Sequence, residues 1–122
     1  MIEDLSEETQ SQILKGEISI ENCTLKVSRS LNERNFKLLS RLVAQFWNSE
    51  ENRKVLLDVH AKVCKIQRDG GMENDQIGGF KTPGGIFITL IKEERPEVKT
   101  LIRKEKNETR QQNQLIGQLG QL

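Results

Sequence analysis

Six of the chain's nine glycines fall within the sixteen residues from Gly70 to Gly85. A backbone of that composition can approach another chain closely and offer its N–H groups as donors. The stretch ends in Thr82-Pro83-Gly84-Gly85. This reads as a helix opening, with Thr82 as N-cap and Pro83 at the first helical position, where its missing N–H costs nothing. A helix N-terminus favours an anion such as phosphate. Lys81 puts a cation immediately before it, and Phe80 offers a ring on which a base can stack. The expected chemistry is capture of phosphate by Lys81 and the free amides around Gly84 and Gly85. A flexible connector with a good helix cap has the same composition, and by composition alone that plainer reading is favoured.

Two one-sided basic stripes weigh towards anion binding. Near the C-terminal end, Lys99, Arg103, Lys106 and Arg110 project within about 60° of one another on a helix. Only Lys104–Glu108 forms an i,i+4 ion pair there, and Lys104 lies off the stripe. Arg34, Lys37 and Arg41 form the second stripe. Solvated faces share this pattern, so the stripes support polyanion binding without requiring it.

Catalysis has little to work with. The one histidine, His60, lies at the edge of an apolar helical face, where a structural or surface role is the expectation. No nucleophile elbow, Walker loop or metal pair occurs, and the carboxylates are scattered among bases. Neither a metal nor another cofactor is expected, nor a small-molecule substrate.

The elements that must position these residues read as helices. Isoleucine and valine recur at helical spacing, tyrosine is absent, and no long alternating β-branched run occurs. A first helix is expected from about Leu5 to Lys15, capped by Asp4 and stopped by Gly16. A second is expected from about Ile20 to Leu31, capped by Ser19. A third runs from about Glu33 to Trp47, with Phe36, Leu39, Val43, Phe46 and Trp47 on its buried face. A fourth, from about Glu50 to Arg68 and capped by Ser49, buries Val55, Leu56, Val59, Val63 and Ile66. Asp69-Gly70-Gly71 ends it. After the loop from Met72 to Lys81 comes a short apolar fifth helix with Ile86, Phe87, Leu90 and Ile91. The chain breaks near Glu94, restarts at Pro96, and reads helical to about Gly117, becoming Asn/Gln-rich and frayed beyond Glu105. The fold class is thus all-α, a compact bundle of about five to six short helices with a glycine-rich loop before the Thr-Pro-Gly-Gly helix start.

Composition is consistent with one domain. At 122 residues the chain can bury roughly two-thirds of its unfolded surface without a disulfide or metal. The net charge of +1 hides an asymmetry: residues 1–21 hold six acids against one base, whereas the remainder holds 18 bases against 12 acids. A basic body attracts polyanions, and an acidic head competes with them or adds solubility. Cys23 and Cys64 lack metal-site spacing and read as small buried hydrophobes. With no signal-peptide pattern and no long apolar run, an intracellular, reducing compartment is expected, nucleus and cytoplasm being equally open, with no membrane partner.

Asp69-Gly70-Gly71-Met72, the loop, and then Thr82-Pro83-Gly84-Gly85-Ile86-Phe87-Ile88-Thr89-Leu90-Ile91-Lys92 resemble the core of the PHAX RNA-binding domain family. Leu38-Leu39-Ser40-Arg41-Leu42-Val43 and Val55-Leu56-Leu57 also fit its pattern. The likeness spans about Val27 to Lys92 and implies an all-α domain that binds single-stranded RNA with little sequence preference. In the full adaptor such a domain helps carry small nuclear RNA out of the nucleus with a cap-binding complex and an exportin. That export role does not come with the fold. The resemblance maps RNA contact onto Gly71, Lys81, Thr82, Gly84, Gly85 and Arg41. The stripes add Lys37, Lys99 and Arg103, and ring stacking adds Phe80. The family commonly has several consecutive bases before Thr-Pro, whereas this chain has Phe80-Lys81 preceded by Gly78-Gly79.

The expected organisation is an acidic extension at 1–18, an RNA-binding domain at 19–104, and a polar Gln-rich tail at 105–122. The expected function is non-catalytic binding of single-stranded RNA. The alternative is a protein-interaction module that docks a protein partner through the acidic head and Gln-rich tail.

Overall fold

Short polar residues at the right offsets start the helices. The computed structural model describes residues 4–73 and 78–104. It contains α1 (Glu7–Lys15), α2 (Ile20–Leu31), α3 (Phe36–Gln45), α4 (Glu50–Arg68) and α5 (Pro83–Glu94). A further helical segment occupies residues 98–104. The expected helical reading beyond Glu105 lies outside the described residues. Among those described, strand pairing is limited to one antiparallel bridge, Glu73 to Phe80. The all-α expectation holds.

Ser19, Ser49 and Thr82 cap α2, α4 and α5, each accepting the backbone N–H three residues on. Gly16 ends α1 in the left-handed conformation, φ +69°. Two expected helix starts shift. Ser6, not Asp4, caps α1 by accepting from Thr9 N–H at 3.1 Å. Asp4 instead pairs with Arg68, Oδ2 to Nη1 3.2 Å. α3 begins at Phe36 rather than Glu33, because Asn35 provides the cap, accepting from Leu38 N–H. It closes at Gln45, two residues before Trp47.

The core forms where apolar stripes meet. α2 packs on α3, α4 packs on α1 and α5, and α5 also touches α2. Ile13, Leu31, Leu42, Phe46, Leu56 and Phe87 are among the fully buried side chains. Phe36 is exposed, contrary to the expected buried face of α3; as the helix's first residue it projects outward, while Leu38 and Leu42 fill the interior. On α4, Leu56, Val59 and Val63 are buried as expected. Val55 and Ile66 are half-buried, and His60 and Cys64 join the interior instead.

Arg53 fastens the first half of the chain. Its Nε donates to Leu14 O at 3.1 Å and its Nη1 to Trp47 O at 2.8 Å. Its guanidinium lies 5.9 Å from the Trp47 ring centroid, within cation–π range. Further on, Arg95 ties the end of α5 to the start of α4 through Asn52 Oδ1, 3.1 Å. The 98–104 segment then docks by burying Val98 and Ile102, one turn apart.

Candidate nucleic-acid interface

The loop after α4 is shaped by its glycines and a short pairing. Gly70 and Gly71 both take positive φ, +117° and +93°, and Gly71 N–H returns to Ile66 O at 2.8 Å. The chain then folds back on itself. Lys81 N–H donates to Met72 O at 2.7 Å, and Glu73 bridges Phe80. This pairing lays the Phe80 ring over Gly71, so that a Cβ at Gly71 would stand 3.5 Å from Phe80 Cδ1. The ring is 66% exposed, against 36% for Phe36, the other exposed large hydrophobic. Phe80 is thus an aromatic face supported from behind by backbone and open in front.

Lys81 turns back along α5. Its Nζ reaches Thr89 Oγ1 at 3.5 Å, while that hydroxyl donates to Gly85 O at 2.9 Å. Thr89 and Lys92 lie three residues apart and are surface neighbours on the helix. Lys92, Lys99, Ile102 and Arg103 together line a concavity of about 240 Å³. Val98 and Ile102 are turned into the core, which leaves Lys99 and Arg103 exposed. Glu94, on the same turn of α5 as Lys92, is directed to α4, where it pairs with Lys62 at 3.6 Å. The structure therefore assembles a line of cations from Lys81 past Thr89 to Lys92, Lys99 and Arg103. Sequence reasoning did not single out Lys92, which the fold brings beside Lys99 and Arg103. Its signal was the three-residue step from Thr89, meaningful only once Lys81 was known to lie along α5.

The N-terminus of α5 is arranged differently from the expectation. Gly85 N–H is already held by Thr82 Oγ1 at 3.1 Å, and Ile86 N–H by Thr82 O at 3.0 Å. Gly84 is buried, with the Glu33 carboxylate lying against it. A Cβ there would collide with Glu33 Oε2 and come within 2.7 Å of its Cδ. Glu33 is itself fixed. Its N–H donates to Ser28 O, its carbonyl accepts from Ser28 Oγ, and its Oε1 accepts from Asn35 N–H at 3.0 Å. The Glu33 carboxylate thus lies close to Gly84 at the start of α5, where it complements the positive end of the helix. The expectation of a free amide fails at Gly85. At Gly84 the need for glycine comes from the close approach of Glu33.

Lys37 is exposed and Arg41 half-buried, one turn apart on α3, outside the Lys92 group. His60, the one candidate for proton chemistry, lies inside the core. Its Nε2 is 2.7 Å from Ser30 Oγ, and Cys64 Sγ is 3.8 Å from its Nδ1. Burial lowers its pKa from the usual 6.5, so the ring is neutral at pH 7. The pair links α2 to α4. Burial also raises the thiols, Cys23 to about 12 and Cys64 to about 11, the latter helped by a hydrogen bond and charge from Asp4. Among the described residues no group of three metal-ligating side chains occurs, and no helix is long and apolar enough to cross a membrane.

A comparison with family models matches residues 23–108 to the RNA-binding domain of the phosphorylated adapter RNA export protein. The chain belongs to that family. The matched span contains α3, α4, α5, the glycine loop and the cation line, together with most of α2. No curated protein and no solved structure matches the chain.

Proposed function

We propose that this family member binds single-stranded RNA without catalysis and with little sequence preference. The supported, exposed Phe80 ring beside Lys81 carries the reading, because a ring and a phosphate-seeking cation at adjacent positions suit a splayed base and its backbone. The strand would stack a base on Phe80 above Gly71. Its phosphates would follow Lys81, Lys92, Lys99 and Arg103, with Lys37 and Arg41 extending contact on α3. Thr82, Gly84 and Gly85 serve by building the helix start that places Lys81, rather than by donating amides to the strand.

Contact with three to five phosphates gives a plot of log K against log salt with a slope of roughly −2 to −3.5. Filter binding of oligo-U across a salt series measures it. Charge reversal at Lys81 is expected to weaken all sequences about equally, because phosphate contacts carry no base code. Phe80→Ala is expected to cost about 1–3 kcal/mol of binding while leaving that slope unchanged. Failure of the folded chain to bind at low salt would refute the reading.

A further inference from the structure

The concavity at the end of the cation line gathers three cations around one hollow, more positive charge than a single internal phosphodiester neutralises. Lys92 approaches from α5, and Lys99 and Arg103 from the 98–104 segment, around a floor that includes buried Ile102. No acidic side chain among the described residues lines it. Lys99 and Arg103 stand at i,i+4, where like charges disfavour the helix. Three cations gathered in this way gain most from an anion of more than one charge. An internal phosphodiester brings one negative charge and two free oxygens. A terminal phosphomonoester brings nearly two charges at neutral pH and three acceptor oxygens. The apolar floor strengthens that difference by keeping one side of the anion from water.

We infer that Lys92, Lys99 and Arg103 form a receptor for the phosphorylated end of an RNA strand. The inference rests on the RNA-binding reading above and adds that the strand is held by its terminus as well as along its length. Arg103 offers a planar fork to two of the oxygens, and the two lysines supply point charges.

The test uses the full chain and oligo-U of one length in three forms: 5′-phosphorylated, 3′-phosphorylated, and hydroxyl at both ends. One phosphorylated form is expected to bind about tenfold more tightly than the hydroxyl-ended strand, the gain of one charge-assisted contact. Which form wins identifies the end that is held. That preference is expected to shrink below about pH 6, where the phosphomonoester takes up its second proton. Arg103→Ala and Lys99→Ala are expected to weaken all three strands and to drive the ratio between phosphorylated and hydroxyl-ended forms towards one. Equal binding of all three forms by the wild-type chain overturns the inference while leaving RNA binding intact. An undiminished ratio in a folded Arg103→Ala variant overturns it as well. Loss of every form in the wild type removes the RNA-binding reading, and this inference with it.

Discussion

Glu33 and Gly84 lie far apart in the sequence and touch in the fold, and this contact revises the chemistry of the site. Read locally, Glu33 suits the first turn of α3, and Gly84 suits an open phosphate cradle. The structure makes them halves of one contact, which no local pattern encodes. Gly84→Ala is expected to push the Glu33 carboxylate aside and to cost about 1 kcal/mol, the hydrogen bond it accepts from Asn35 N–H, measured by urea unfolding. In a Glu33→Ala background the same substitution should cost much less, since the colliding carboxylate is gone. A double-mutant cycle reads that coupling directly, and additive losses would show that the two residues do not press on one another. Lys81 teaches the complementary lesson. Its position beside Thr82 was legible, but its course along α5 to Thr89 depends on the paired loop that holds its backbone.

At the scale of elements the sequence was most readable where capping chemistry is local. Ser19, Ser49 and Thr82 start their helices, and α2 and α4 have the expected bounds, because a hydroxyl three residues before a helix N–H needs no distant partner. Thr82→Ala is expected to cost about 1 kcal/mol, with Thr82→Ser restoring most of it. Since Thr82 holds the start of α5 beside Lys81, the alanine variant should also bind RNA more weakly than the serine variant. Equal affinities would separate the cap from the interface. Where several candidates compete for a cap, the local pattern leaves the choice open. Ser6 takes the cap of α1, while Asp4 pairs with Arg68 on α4. The outward turn of Phe36 was equally hidden, because helical periodicity gives the buried face only once the first residue of the helix is known.

Across the whole molecule, α1 is more than a charged appendage. Ile13 is fully buried, α1 packs on α4, and Arg53 holds Leu14 by its carbonyl, although the family match begins after α1, within α2. Removing residues 1–18 is therefore expected to lower the thermal midpoint, and an unchanged midpoint would mark the segment as dispensable. Acid should destabilise the fold through its single histidine. His60 has a lower pKa folded than unfolded, so the unfolded chain binds more protons in the window below about pH 6.5. Stability is fully present above that window and falls as the pH drops through it, by at most about 1.4 kcal/mol per pH unit until the folded-state pKa is reached. Urea midpoints from pH 7.5 to 5.5 measure the fall, and a folded His60→Gln variant should flatten it. The placement of the Arg53 guanidinium over the Trp47 ring has a spectroscopic consequence. With one tryptophan and no tyrosine in the chain, selectively excited emission comes from that indole alone. Its colour and lifetime report whether the α1–α4 clasp is closed, and an Arg53→Met protein would signal a loosened clasp by altered fluorescence before any loss of helicity.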